Sequence, residues 1–503
     1  MSIYLDYKQQ VRSEKCCLSP KVRSEKCCFG TKVRSEKCCL SPKVRSKKCK
    51  SSWLLCRKCV YLQQKHNRNQ GLMYRKIIER LKEWKNDEYR KPLILAGARQ
   101  VGKTYILQKF GETEFDNVAY INCDDNDLAK DLFSQDYDMQ RILFAIGALT
   151  QQPIVAGKTL IILDEIQEAK RGLSVLKYFC ERVPEYHVAV AGSLLGIAMH
   201  QGESFPVGKV DILNIYPMTY CEFLLAKGKD QMVEILKRKD WNTIKLLKSQ
   251  YIKYLREYYF VGGMPEAVNC FITTNDAVRV RKVQNDILFT YQKDISKHVP
   301  TVESNRINMV WQSMPSQLVK ENKKFIYGVA KPGGRAKDFE VAIQWLMDAG
   351  LVYKAERITE PKTPLKFYVD ISSFKLFLLD CGLLGAMSET PAENLLVAEN
   401  GMEESKGAFT ENFVMSQLVA TRDTSVFYYS NNSKLEIDFL IQQKSQVVPI
   451  EVKAEENLRS KSLSTFVASN PSLHGIRFSM SDYREQDWMT NVPLYAADVF
   501  FDY

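Results

Sequence analysis

No apolar stretch in the 503 residues approaches the length of a membrane span. The first residues also lack the charged-then-apolar order of a secretion signal. Together these absences exclude a helical membrane protein and lead us to expect a cytoplasmic one with no membrane partner. A disulfide framework is missing too. Nine of the fourteen cysteines precede residue 60, and Cys123, Cys180, Cys221, Cys270 and Cys381 are scattered singly, as in a reduced compartment. Net charge is likewise absent from the body of the chain. Residues 1–72 hold 18 Lys and Arg against 4 Asp and Glu, and the rest 53 against 55. The overall +12 is therefore a property of the leader and does not argue for a nucleic-acid partner of the body.

The leader, 1–72, is repetitive. Val11–Lys21 recurs from Val22 and from Val33 and fades at Val44, a period of eleven residues. An eleven-residue period can mark a right-handed coiled coil, but Pro20, Gly30 and Pro42 interrupt every copy. One copy buries too little apolar surface for a stacked solenoid. The repeats read as a translated tandem DNA repeat, disordered or an over-extended reading frame with its natural start at Met73. A zinc or redox tail built on Cys49, Cys56, Cys59 and His66 is the rival reading, from one C-x2-C with irregular spacing. After Met73 an amphipathic helix is expected, with Ile77, Ile78, Leu81 and Trp84 on one face.

Chemistry begins at Gly97-Ala98-Arg99-Gln100-Val101-Gly102-Lys103-Thr104, entered from the apolar run Leu93–Ala96. This is a phosphate-binding loop. Its glycines permit a tight turn that aims backbone N–H groups at phosphates from the start of a helix. Lys103 would reach the β- and γ-phosphates, and Thr104 would place its hydroxyl on Mg²⁺. The strand Leu160–Leu163 ends in Asp164-Glu165, with Asp164 placed to hold the same magnesium and Glu165 to deprotonate a water. ATP and Mg²⁺ are the implied ligands. Taken alone, Asp164-Glu165 would be an ordinary strand end.

Further elements follow the same rhythm: a strand at Val118–Cys123, a helix at Leu132–Leu149, a strand at Thr159–Asp164, a helix at Leu173–Arg182 and a strand at His187–Ser193. Such alternation implies a parallel sheet covered on both faces. One strand–helix unit lies between loop and Asp-Glu strand, which resembles AAA-type P-loop ATPases and makes Ser193 a candidate γ-phosphate sensor. The segment 301–360 reads as helix, loop, helix, strand, with Phe339, Ile343, Leu346 and Met347 on one helical face. This is compatible with a winged helix whose Lys320, Lys323, Lys324, Lys331, Arg335 and Lys337 could meet DNA phosphates. A protein-contact role fits the pattern as well.

A second constellation lies near the end. Glu436–Ile441 and Val447–Lys453 form a hairpin, with Glu451 and Lys453 on one face because strand side chains repeat every two residues. A helix Gly407–Leu418 carries Glu411. Asp438, Glu451 and Glu411 could ligate a metal through oxygen, with Lys453 beside it for charge stabilisation. The arrangement resembles the core of the PD-(D/E)xK nucleases, although alternating charge on a hairpin is often only a solvated face.

Residues 73–503 as a whole resemble a prokaryotic ATPase family that joins an AAA-type domain to a C-terminal domain of unknown function with that nuclease-like core. The resemblance rests on Gly97–Thr104, Asp164–Gln167, Ala191–Ser193, Tyr216–Phe223, Gly262–Glu266, Asp294–Lys297, Phe374-Lys375, Leu379–Leu383, Glu411-Asn412, Glu436–Phe439 and Pro449–Lys453. Where relatives carry Gly-Arg this chain has Gly208-Lys209, which keeps charge but loses bidentate geometry and leaves no arginine finger to name. The expected organisation is α/β: a P-loop domain at 73–225, a helical lid or connector at 226–300, a winged-helix-like segment at 301–360 and a nuclease-like domain at 361–503. The expected function is Mg²⁺-dependent ATP hydrolysis. A nucleotide-gated nuclease, or a switch acting on DNA or a partner protein without turnover, are the alternatives, and an oligomer is compatible with either.

Overall fold

Five short apolar strands build the first layer: β1 (Leu93–Ala96), β2 (Asn117–Asn122), β3 (Thr159–Asp164), β4 (His187–Ala191) and β5 (Asp211–Asn214). All pair in parallel in the order β2-β3-β4-β1-β5. Every residue of β3 and β4 is buried, as befits strands covered on both faces. The helices Lys103–Glu114, Met139–Thr150 and Gly172–Arg182 supply the cover. Because the strands are parallel, the loop after β1 and the Asp-Glu pair ending β3 emerge at the same edge.

The computed structural model describes residues 73–501, except 126, 193–204, 321–322, 398–402, 423, 432–434 and 457–458. The leader repeats, the Cys49–His66 set and Ser193 lie outside the described residues. The expected helix at Leu132–Leu149 is corrected: Asp127–Asp131 and Met139–Thr150 are separate helices. Asp138 divides them, its carboxylate accepting from the backbone of Gln140 at 3.0 Å and Arg141 at 3.3 Å. That N-cap satisfies orphan donors only if a new helix starts there.

Beyond β5 the chain is helical, through Tyr220–Ala226, Lys248–Val261, Pro265–Thr274, Ala277–His298 and Thr301–Leu318. It then enters an eight-stranded mixed sheet: β6 (Val352–Ile358), β7 (Val369–Leu378), β8 (Val426–Ser430), β9 (Glu436–Gln443), β10 (Gln446–Val452), β11 (Gly475–Ser479), β12 (Arg484–Glu485) and β13 (Met489–Pro493). Their order is β12-β13-β11-β10-β9-β8-β6-β7. Residue 360 falls in the loop between β6 and β7 of this one sheet. The helix Ala336–Asp348 buries Phe339, Ala342, Ile343, Trp345 and Leu346, leaving Lys337, Glu340, Val341 and Gln344 outward.

The joints between these parts involve close backbone approach. Met218 N donates to Gly263 O at 2.7 Å, and Gly263 N donates to the buried Asp380 carboxylate at 2.5 Å. A Cβ on Gly263 would lie 2.2 Å from Met218 O, so no side chain fits. One apolar cluster runs from Leu95 and Phe110 through Tyr258 and Phe413 to Phe439 and Phe478.

Candidate functional site

Between β1 and the helix Lys103–Glu114 the backbone makes the turn that its glycines require. Gly97 has φ +152° and Gly102 φ +95°, and a Cβ on Gly97 would strike Ile215 O at 2.2 Å. Lys103 is buried, and its ammonium donates to the carbonyls of Gly97 and Ala98, both at 2.8 Å. Burial lowers its pKa to about 8, against the pull of Glu165 and Asp164. Thr104 Oγ1 donates to Asp164 Oδ2 at 2.6 Å, and Tyr120 donates to the same oxygen at 3.1 Å. Burial raises the Asp164 carboxyl, and the neighbouring Glu165 adds to the shift while the Thr104 hydroxyl opposes it. Glu165 sits in the left-handed region at φ +49°, with Gln167 Nε2 donating to its Oε2 at 2.5 Å. Hydroxyl and carboxylate oxygens converging at a helix start are the hard donor set that Mg²⁺ takes, so these residues fit that ion.

Arg99, Gln100 and Val101 complete the loop and tie it outward. Arg99 Nη1 pairs with Asp294 Oδ1 at 2.6 Å, and Tyr291 donates its hydroxyl to Arg99 O at 2.8 Å, both from the helix Ala277–His298. Arg75 Nη1 donates to Val101 O at 2.9 Å, while its Nε pairs with buried Glu222 at 3.1 Å. Sequence reading missed Arg75 because an arginine just ahead of an amphipathic helix reads as solvated. The capping box of Thr219 and Glu222 was the available signal, since it fixes a carboxylate inside the fold. Lys209, at the departure from the Gly-Arg pattern, pairs with Glu181 at 2.9 Å.

The C-terminal constellation is crowded with cations. Asp438, on β9, is half-buried and accepts from Val452 N at 2.8 Å. Burial, with Glu411 nearby, raises its carboxyl to about 7. Glu411 pairs with Lys323, and Glu436 with the fully buried Lys375, whose ammonium also lies 4.8 Å from the Tyr428 ring centroid. Glu451 pairs with Lys453 at 3.1 Å. Lys323, expected among the phosphate-facing lysines, is thus turned inward. One oxygen each of Glu411 and Glu451 is buried without a hydrogen bond. Among the described residues, no three or more His, Cys, Asp or Glu side chains are placed to hold one metal ion. Lys323 and Lys375, absent from the sequence-derived site, occupy the cluster in which such an ion would be sought.

A family model described as an AAA domain matches residues 89–224. Two models, described as domains of unknown function (DUF8612 and DUF4143), match residues 252–394 and 406–496. No curated protein matches the chain. Among solved structures, it is similar to the Walker-type ATPase PABY2304 of Pyrococcus abyssi at 13% identity, over 63% of this chain and 96% of that one, with a TM-score of 0.39. The Aeropyrum pernix ORC1 protein, solved in complex with DNA, aligns at 13% identity over 65% of this chain and 95% of its own, with a TM-score of 0.28. The Aeropyrum pernix ORC2 protein, in ADPNP–ADP complexes, aligns at 13% identity over 66% and 90%, with a TM-score of 0.34. The AAA model covers the loop, the Asp-Glu strand and all five parallel strands, so residues 89–224 have the fold of an AAA-type P-loop domain. Among the described residues, no helix is long and apolar enough to cross a membrane.

Proposed function

We propose that this protein binds ATP with Mg²⁺ at Gly97–Thr104 and hydrolyses it. The observation that carries the reading is the 2.6 Å contact between Thr104 Oγ1 and Asp164 Oδ2, made where a glycine turn opens a helix. Backbone amides of Gln100–Thr104 bind the phosphates. Lys103 exchanges the carbonyls of Gly97 and Ala98 for phosphate oxygens, which regain it a full charge partner. Thr104 and Asp164 hold the magnesium ion, which when bound offsets negative charge on the β- and γ-phosphates. Glu165 accepts a proton from the attacking water. The new P–O bond forms at the γ-phosphorus as its bond to the β–γ bridging oxygen breaks, and ADP and phosphate leave. In this proposal the helical and C-terminal parts respond to nucleotide state and act on DNA or a partner protein. The loop's ties to Arg75 and Asp294 support that coupling.

Phosphate release by the full chain tests the proposal. Glu165→Gln should retain ATP binding and lower turnover by about 10²–10⁴-fold, the range for a lost general base. Turnover equal to the unaltered chain would remove Glu165 from the mechanism.

A further inference from the structure

A second cavity, of about 330 Å³, lies away from the P-loop, bordered by the helix Lys248–Val261, the helix Glu403–Arg422 and the segment after β10. Its lining is largely apolar, including Ile252, Leu395, Phe409 and Met480. Polar side chains stand among them, including Arg256, Tyr259, Asn394, Lys406 and Thr410.

The two cations and two anions of the lining are not all paired with one another. Glu455 and Glu456 also border the cavity, but Glu455 is paired with Lys406 at 3.6 Å and Glu456 with Lys248 at 2.6 Å. Arg256, half-buried, has no side-chain hydrogen bond or ion pair among the described residues. Tyr259 is 7% exposed, and its hydroxyl is buried with no hydrogen bond. Burial holds the Tyr259 phenol in its neutral form, opposed by the nearby Thr410 hydroxyl, which itself donates to Lys406 O at 2.8 Å. The buried phenol left without a hydrogen bond costs free energy unless a ligand takes it up, and the half-buried Arg256 guanidinium beside it offers a cation to the same ligand.

We propose that this cavity binds a nucleotide unit: a phosphate held by Arg256 and the Tyr259 hydroxyl, with a flat base against Phe409 and the aliphatic wall. Guanidinium matches phosphate in a bidentate fork, and an aromatic wall accepts any base by its π-face. The volume lies in the range that encloses small ligands. A free mononucleotide and the end of a single strand share this chemistry. The site is independent of the P-loop, so either reading can fail without the other.

The test is a titration of the full chain carrying Lys103→Ala, which silences the P-loop, with 5′-dTMP and separately with a 5′-phosphorylated oligothymidylate. Heat or fluorescence anisotropy reports binding. At least one probe should bind, and adding Arg256→Ala should weaken it by about tenfold or more, the cost of a lost charged hydrogen bond. Arg256→Lys should lose less, and Tyr259→Phe several-fold, with unchanged circular dichroism. Saturation by dTMP assigns a free mononucleotide, and binding of the oligonucleotide alone assigns a strand end. Absence of binding by both probes overturns the proposal, as does an affinity indifferent to Arg256→Ala. If that variant does not fold, an affinity indifferent to Tyr259→Phe overturns it.

Discussion

Asp380 shows how much a single residue can hold. It receives the backbone N–H of Gly263 at 2.5 Å and of Leu383 at 2.8 Å, so one carboxylate joins the Gly262-Gly263 turn to the C-terminal half. Burial pushes its pKa up to about 6, opposed by those amides. A carboxyl with a raised folded pKa binds its proton more tightly in the native state. Its contribution is therefore most favourable below the unfolded value of 3.8 and is lost as pH climbs toward 6. Between those limits the loss amounts to about 3 kcal/mol, at 1.36 kcal/mol per pH unit. Urea unfolding at pH 4.0 and 6.5 should show this decline in the unaltered chain and a smaller one in Asp380→Asn. Equal declines would mean that Asp380 is not the titrating group.

At the scale of elements, the start of the described chain is an anchor rather than a decoration. Arg75 bridges Val101 O in the phosphate loop and Glu222 in the helix Tyr220–Ala226. Replacing it with Ala strands a buried carboxylate, and losing one partner of a buried pair typically costs 3–5 kcal/mol. The urea midpoint of Arg75→Ala should fall accordingly, and a drop below about 1 kcal/mol would mark Arg75 as a surface residue after all. This contrast separates what the sequence makes legible from what it hides. Four of the five parallel strands announced themselves as short apolar runs, and the loop as glycines at fixed offsets, because both signals are local; β5, Asp211–Asn214, is short and only partly buried and gave no such run. The break before Met139 was missed because Ile142 and Ile146 continue a helical pattern while the cap at Asp138 looks like a polar surface residue. The burial of Arg75, Lys323 and Lys375 against carboxylates was missed because those carboxylates are distant in sequence. For the same reason the union of β6 and β7 with β8 could not be seen across the intervening 47 residues between Leu378 and Val426.

Across the whole molecule, one apolar cluster joins the phosphate-loop layer to the eight-stranded sheet, so the nucleotide edge and the C-terminal half share packing. Interiors of that density transmit displacement rather than absorb it. The clearest link is Arg99 with Asp294, 195 positions apart, where a carboxylate holds a guanidinium that phosphates would also attract. Asp294→Ala removes that competitor and is expected to tighten ATP binding by a few-fold, a scale suited to a partly exposed pair. Weaker binding would instead make Asp294 an organiser of the loop. The account stands on nucleotide binding at Gly97–Thr104, and calorimetric titration of the folded full chain with ATP and Mg²⁺ measures it directly. We expect saturable heat for one site, abolished by Lys103→Ala in protein with unchanged circular dichroism. Absence of heat from the unaltered chain, or full binding by Lys103→Ala, would contradict the account.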